Sequence, residues 1–461
     1  MLIQTRDGRL ITFNDGQTEA LRRMDEWLNK SSDLWFCLEG PAGTGKSTII
    51  NELFERNGRV KVCVSAPTHK AKLVVRKTTG KPDFTIQKLL GLQPNVMLED
   101  FDKNNIRFER KEEYSKLKEF ALCCIDETSM LSAKLLAYIK EVSIEYRVKI
   151  LFVGDRCQIP PVKESKSLVF FDDDIIKYNL TKVERQTDGS PILEVCDYLR
   201  SLGANYPQFG VGKLVDKVNN SGSVNYYNSN NPQRFGKTLI EAFVKDKLST
   251  KFICYTNVDV VGANEIIRKK LLGETKEIIA VGDVLMSYTN QSESPIVFNS
   301  SDYEVVGVEV KEVSSITGKK FKCLVTKLRE IDTKLSTTIN FIHPDDYDFF
   351  LAEDTKLLKT AENAPKYLRS EAWKKHTAFK NQFLIMTDLP RRGRDKGDKN
   401  AVLTKDFDYG YAITGHKCQG STYKIVFINW PDMKQNRKML ERNQLLYVGC
   451  SRPTKELHIL Y

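Results

Sequence analysis

Residues 38–48 read LEGPAGTGKST, with Gly40, Gly45, Lys46 and Ser47 in the register G-x-x-x-x-G-K-[ST]. Glycines at this spacing let backbone N–H groups turn toward a phosphate chain. The lysine ammonium then reaches the β- and γ-oxygens, and the serine hydroxyl suits Mg²⁺. Farther along, ALCCIDETSM runs five apolar or small residues into Asp126-Glu127. A carboxylate at the C-terminal end of a strand can hold Mg²⁺ through water, and the next one can orient and deprotonate an attacking water. In VGDRCQIPPV, residues 153–162, Gln158 can bond both the γ-phosphate and that water, or it belongs to an ordinary polar turn. Gln17 stands at the start of a helical pattern, and its amide matches the N6 and N7 edge of adenine, which favours ATP.

These residues need strands that end at one edge and helices that begin there. LWFCLEG has the short apolar run of a buried strand, and KSTIINELFERNG spaces Ile49, Ile50, Leu53 and Phe54 as one helical face that Gly58 ends. FNDGQTEALRRMDEWL predicts an earlier helix capped by Asn14 or Asp15, with Leu21, Met24 and Leu28 on one side. RVKVCVSAP, FALCCIDE and VKILFVGD, then KFICYTN, YKIVFINW and ELHILY, read as strands of one or two parallel sheets with helical segments between them. That alternation predicts an α/β fold. Two stretches break it. The polar segment 91–118 suits a small hairpin-like insertion. Residues 282–400 open with VGDVLMSYTN and DYEVVGVEVKEV, which read as barrel-like strands, and close with the turn-rich basic run RRGRDKGDKN.

The chain has 461 residues, enough for two to four domains, and its 28% charged and 41% hydrophobic residues suit a globular protein. Lys and Arg total 71 against 60 Asp and Glu, a net charge of +11 that suits a polyanion as partner or a generally basic surface. Ten cysteines include no C-x-x-C pair, only the adjacent Cys123-Cys124, so reduced core thiols are expected rather than a zinc or disulfide framework. No apolar run has bilayer-spanning length, and MLIQTRDGRLITF lacks the core of a signal peptide, so a cytoplasmic protein without a membrane partner is expected.

In order, GPAGTGKST, SAPTHKAK, IDETSM, VGDRCQIPPV, LTKVERQ, YAITGHKCQGST and LLYVGCSRPTKEL resemble the motifs of superfamily 1 helicases. With TIQKLL and a late insertion, the set is most similar to the RecD-type, 5′-to-3′ branch. The resemblance implies two RecA-like parallel-sheet cores. The first would span 1–190 with the hairpin or wedge insertion at 91–118, the second 191–281 and 401–461, and a β-rich, barrel-like domain would occupy 282–400. It further implies that Gln17 meets adenine, and that Pro41, Ala42, Gly43, Thr44, Gly45, Lys46, Ser47 and Thr48 surround the phosphates. Ser47 and Asp126 would hold Mg²⁺, Glu127 would be the base and Gln158 the γ-phosphate sensor. Arg185 and Arg452 match the two arginines that such helicases bring to the γ-phosphate, although either could be a surface ion pair. An arginine delivered from a second domain makes hydrolysis depend on closure.

For the nucleic acid, Pro67, Thr68, His69 and Lys70 match one strand-binding motif, Thr85 and Gln87 a second, and Thr414, His416, Lys417 and Gln419 a third. Short polar and basic side chains of this kind suit a sugar-phosphate track. Phe101 and Phe108 are either a duplex-parting wedge or small core aromatics. Gly415, Cys418, Gly449-Cys450 and Pro453 depart from the usual pattern and put local loop geometry in question. The implied activity is an ATP-dependent DNA helicase with Mg²⁺, acting as a monomer on single-stranded DNA and single-strand/duplex junctions. Its setting would be phage replication or recombination in the host cytoplasm, beside phage or host replication proteins. A translocase that strips bound proteins, or a viral-type RNA helicase, shares the same motifs. A small-molecule kinase would leave Arg452 and ITGHKCQG unexplained.

Overall fold

The apolar run before the phosphate loop forms the strand Trp35–Glu39, and the loop opens directly into the helix Lys46–Arg56, which buries Ile49, Ile50, Leu53 and Phe54. The computed structural model describes the chain apart from residues 5–9, 68–71, 73–74, 77, 93–114, 162–163, 183–188, 211–213, 292–294 and 387–404. The hairpin expected at 91–118, with Phe101 and Phe108, falls almost wholly outside the described residues. Two compact units are formed: residues 1–238, 251–259 and 413–461 make one, and residues 239–250 and 260–412 the other.

The first unit holds an all-parallel six-stranded sheet in the order Asp83–Thr85, Val62–Ala66, Leu122–Ile125, Lys149–Gly154, Trp35–Glu39, Ile176–Asn179. Alternate residues of each strand enter opposite layers of core, as a sheet covered on both faces requires. Phe36, Leu38 and Cys124 join Leu21, Met24, Trp27 and Phe54 on one side; Cys37, Cys123 and Phe152 join Leu135 and Ile139 on the other. The phosphate loop leaves the sheet between Lys149–Gly154 and Ile176–Asn179. Asn14 caps the helix Asp15–Lys30 with a reciprocal box: Gln17 N donates to Asn14 Oδ1 (2.9 Å) and Asn14 N to Gln17 Oε1 (3.0 Å). Ala20 and Trp27 join Leu21 and Met24 as the helix's buried apolar members, and Leu28 packs partly buried against the same core.

A second six-stranded sheet runs Ala412–Thr414, Thr250–Cys254, Tyr423–Asn429, Pro453–Leu460, Gly222–Tyr227, Lys217–Asn219. Tyr423–Asn429, Pro453–Leu460 and Gly222–Tyr227 are mutually parallel, and an antiparallel hairpin partner, Lys217–Asn219, forms the edge. The fold is therefore α/β with two parallel-sheet cores of RecA type.

In the other unit a five-stranded antiparallel sheet runs Ser336–Ile342, Lys320–Glu330, Asp302–Ser314, Val284–Ser287, Phe407–Tyr409. Its outer strands are joined by residues 384–386: Phe341 bridges Leu384 and Met386 bridges Phe407, so the sheet closes into a small barrel. The segment expected to be simply β-rich also carries two helices, Tyr347–Asn363 and Lys366–Gln382. Phe350 of one stacks on Phe379 of the other at 5.2 Å, over Phe321 and Phe383. Nine of the ten cysteines are buried, Cys157 alone being partly exposed, and none is in a disulfide. Among the described residues no helix is long and apolar enough to cross a membrane.

Candidate functional site

At the carboxyl edge of the first sheet, Gly43 and Gly45 both adopt left-handed backbone (φ 89° and 82°), which lets the loop wrap back on itself. Gly45 is the N-cap of Lys46–Arg56 and offers no side-chain cap, so first-turn amides beside Ser47 remain for an anion. A Cβ on Gly45 would stand 2.6 Å from Gln17 Nε2. That amide donates to Thr44 O (3.1 Å), so Gln17, 5% exposed, ties the first helix to the loop as well as capping it. Thr44 Oγ1 donates to Pro41 O (2.9 Å), and Lys46 Nζ to Gly40 O (2.7 Å) and Pro41 O (2.9 Å). Thr48 lies in the first helical turn, its N–H on Gly45 O at 3.0 Å. Burial pushes the Lys46 pKa down, against the pull of Asp155, Asp126 and Glu127.

Asp126 and Glu127 follow the strand Leu122–Ile125 directly. Burial raises the Asp126 pKa, opposed by the Glu127 N–H that donates to its Oδ1 (2.8 Å) and by Lys46. Glu127 is one of few non-glycine residues with positive φ (53°), a conformation that costs about 1–2 kcal/mol and is retained where surroundings over-determine it. Its Oε2 is buried with no hydrogen-bond partner among the described residues. Burial first, then the charge of Asp126, push its pKa up to about 7, while Arg452 and Lys46 pull it down. A carboxyl so placed can take a proton near neutral pH. Hard oxygen donors, the Ser47 hydroxyl and Asp126, suit Mg²⁺ in this corner.

Arg452, 6% exposed, sits just beyond the helix Met439–Cys450 of the second core. Its Nε donates to Val448 O (2.9 Å), Nη1 to Ser421 O (3.3 Å) and Nη2 to Ser451 Oγ (2.7 Å). A cavity of about 350 Å³ brings it together with Pro41 and Ala42 of the phosphate loop and with Ile192, Cys196 and Asp197 of the helix Pro191–Leu202. Arg185, the other expected arginine, lies outside the described residues.

Gln158 is buried, and its Oε1 accepts from Gln419 Nε2 (3.0 Å), which also donates to Ser129 Oγ (3.0 Å). Gln419 is 5% exposed, because the turn after Thr414 folds its side chain inward onto the loop of Gln158. His416 of the same turn is exposed, with its Nε2 4.0 Å from Glu441 Oε1, and Thr414 and Lys417 are half-buried. Pro67 follows the strand Val62–Ala66 directly, and Thr85 ends the parallel strand beside it, pairing with Ala66. Thr85 Oγ1 accepts from Lys88 N (3.2 Å) and caps the short helix Ile86–Leu90, on which Gln87 is half-buried. Thr68, His69 and Lys70 lie outside the described residues. The departures in these motifs have packing reasons. A Cβ on Gly415 would meet Leu445 Cδ2 at 2.9 Å, and Cys418 is buried with Sγ on Gly415 O at 3.0 Å.

One cluster had no role in the sequence reading. Asp155, fully buried, accepts from Arg200 Nη1 on both oxygens (2.6 Å each) and from the Tyr447 hydroxyl on Oδ2 (2.6 Å). Asp155 belongs to VGDRCQIPPV, whereas Arg200 sits on an ordinary amphipathic helix and carries no local signal.

Fold and site together define a P-loop ATP hydrolase in which a second core faces the phosphate loop with a buried arginine. The family model described as an AAA domain matches residues 12–225, and that of the UvrD-like helicase C-terminal domain matches 409–460. The chain is similar to the ATP-dependent DNA helicase Dda of Enterobacteria phage T4, 27% identical over 479 residues that cover 96% of this chain and 98% of the phage protein. An uncharacterized protein of Acanthamoeba polyphaga mimivirus is 25% identical over 502 residues, covering 96% and 99% of the two chains. Among solved structures, the Pif1 helicase from Candida albicans shares the fold: TM-score 0.55 at 16% identity, over 98% of this chain and 94% of that one. By these likenesses and its ordered motifs the chain is similar to ATP-dependent helicases of superfamily 1, RecD-type branch, Dda among them.

Proposed function

We propose that this chain is an ATP-dependent DNA helicase that moves 5′-to-3′ along single-stranded DNA and opens duplex at single-strand/duplex junctions. The observation that carries the reading is Arg452. It comes from the second core, yet it shares a cavity with the phosphate loop and acts electrostatically on Glu127 of the first core. Hydrolysis then requires the two cores to close, and a cycle of closing and opening is what turns ATP into movement. A small-molecule kinase has no use for such a second core. In this reading Gln17 and the loop hold ATP, Ser47 and Asp126 hold Mg²⁺, Glu127 takes the proton of the attacking water, and Gln158 and Arg452 meet the γ-phosphate. Mg²⁺ supplies charge neutralisation at the β- and γ-oxygens.

Pro67, Thr85, Thr414, His416 and Lys417 would line the strand track. Both halves of the ATP site come from one chain, which supports action as a monomer. Relatives from a phage and a large virus support a role in viral DNA replication or recombination, in the host cytoplasm and alongside replication proteins. ATP turnover measured with single-stranded DNA and RNA of equal length tests the substrate. Stimulation by DNA of at least tenfold over RNA is expected; equal stimulation would point to an RNA helicase, and none by either would remove the motor reading.

A further inference from the structure

Asp155 lies three residues before Gln158, on the loop leaving the strand Lys149–Gly154. Its partners come from two different helices of the second core. Arg200 lies in the last turn of Pro191–Leu202, whose earlier turns line the nucleotide cavity through Ile192 and Cys196. Tyr447 lies on Met439–Cys450, one residue before Val448, whose carbonyl fixes the Nε of Arg452. The Arg200 Nη1 also donates to the Tyr447 hydroxyl at 3.2 Å, and the Cys157 N–H donates to Asp155 Oδ1 at 3.0 Å. One buried carboxylate therefore fastens the loop of Gln158 to the scaffold of Arg452. A second cavity, of about 390 Å³, shares Tyr447 with the nucleotide cavity and is lined also by Cys157, Gln158, Arg200 and Asn443. Tyr447 of the clasp thus lines both cavities, and Arg200 one of them. A buried ion pair is a poor device for stability, since apolar replacements are often as good. It is a good device for register, because it holds in one geometry and is lost in others.

We propose that Arg200 and Tyr447 are positioning residues. By holding Asp155 they keep Gln158 in step with Arg452, so that the sensor and the arginine reach the γ-phosphate together and hydrolysis is coupled to movement of the second core. The proposal rests on the motor reading above.

The test uses the full chain and compares wild type with Tyr447→Phe, Arg200→Lys and the double variant. Measured are thermal midpoint, kcat and KM for ATP with saturating single-stranded DNA, and duplex opened per ATP consumed. Tyr447→Phe removes one oxygen from the clasp and should lower kcat about tenfold while KM stays within about twofold, a coupling change of the usual size. Duplex opened per ATP should fall as well. Arg200→Lys should behave alike, because an ammonium keeps the charge but not the planar guanidinium geometry. The double variant should be little worse than the poorer single one, as members of one network are. A lowered thermal midpoint with kcat, KM and opening per ATP all within twofold of wild type would reduce the clasp to a structural contact and overturn the proposal. So would fully multiplicative effects in the double variant. If Arg200→Lys does not fold, Tyr447→Phe alone still decides. A wild type lacking DNA-stimulated hydrolysis would overturn the motor reading, and the proposal with it, whereas an active wild type with an indifferent Tyr447→Phe overturns the proposal alone.

Discussion

Replacing Glu127 with glutamine should make the nucleotide-free protein more stable while removing its turnover. The carboxyl is held at a pKa of about 7, against an ordinary value of 4.5, mainly by burial and then by Asp126. That difference of about 2.5 pH units, at roughly 1.4 kcal/mol each, corresponds to about 3 kcal/mol. Because the folded-state pKa is raised, wild type is unpenalised below pH 4.5 and loses this stability as pH rises through 7. Glutamine has nearly the same shape and no charge, and relieves Asp126 as well. The advantage of Glu127→Gln should grow from under about 1 kcal/mol at pH 5 to about 3 kcal/mol at pH 8. Urea unfolding followed by tryptophan fluorescence reads this, since Trp27, Trp35 and Trp430 share a unit with Glu127 and Trp373 alone belongs to the other. Hydrolysis should fall by at least about a hundredfold. A stability difference that is flat between pH 5 and 8, or a variant less stable than wild type at pH 8, would refute the account of this carboxyl.

In wild type the same group should make kcat/KM for ATP rise as pH increases through about 7, the base form being the ionised one; a profile flat from pH 6 to 8 would contradict it. Gly45→Ala forces a side chain into left-handed backbone and within 2.6 Å of Gln17 Nε2, so a fluorescent ATP analogue should bind at least about tenfold more weakly. Unchanged affinity would show the loop to be more pliant than its geometry indicates. Arg452→Lys keeps the charge but loses the fork, and kcat should drop about a hundredfold or more while ATP affinity changes only a few-fold; equal losses in both would make Arg452 a ground-state contact.

Much of the first core was legible because buried parallel strands are short apolar runs: LWFCLEG, FALCCIDE and VKILFVGD became Trp35–Glu39, Leu122–Ile125 and Lys149–Gly154. The strand Gly222–Tyr227 escaped notice because SGSVNYYNSN is polar on one face and sits beside an edge hairpin. The helices Tyr347–Asn363 and Lys366–Gln382 were hidden too, since Phe350, Phe379 and Phe383 supply much of their shared core while charged residues and exposed apolar ones such as Phe349, Tyr367 and Trp373 blur each helical face. At the site, residue types and spacing announced Lys46, Asp126 and Glu127. Spacing carries no sign of which way a turn folds, so the inward rotation of Gln419 was not legible. Nor was the pairing of Asp155 with Arg200 and Tyr447, which are separated by 45 and 292 residues in sequence.

Directed movement on a single strand is read out by the polarity of the loading tail. Two duplexes of equal length and sequence, one with a 5′ single-stranded tail and one with a 3′ tail, are incubated with the protein, ATP and Mg²⁺, and strand separation is followed in time. Lys46→Ala, which removes the ammonium held at the phosphate loop, controls for passive melting. Opening of the 5′-tailed duplex alone is expected, and none with Lys46→Ala. Opening from the 3′ tail alone would contradict the assigned direction, and ATP consumption without strand separation on either duplex would contradict the helicase itself.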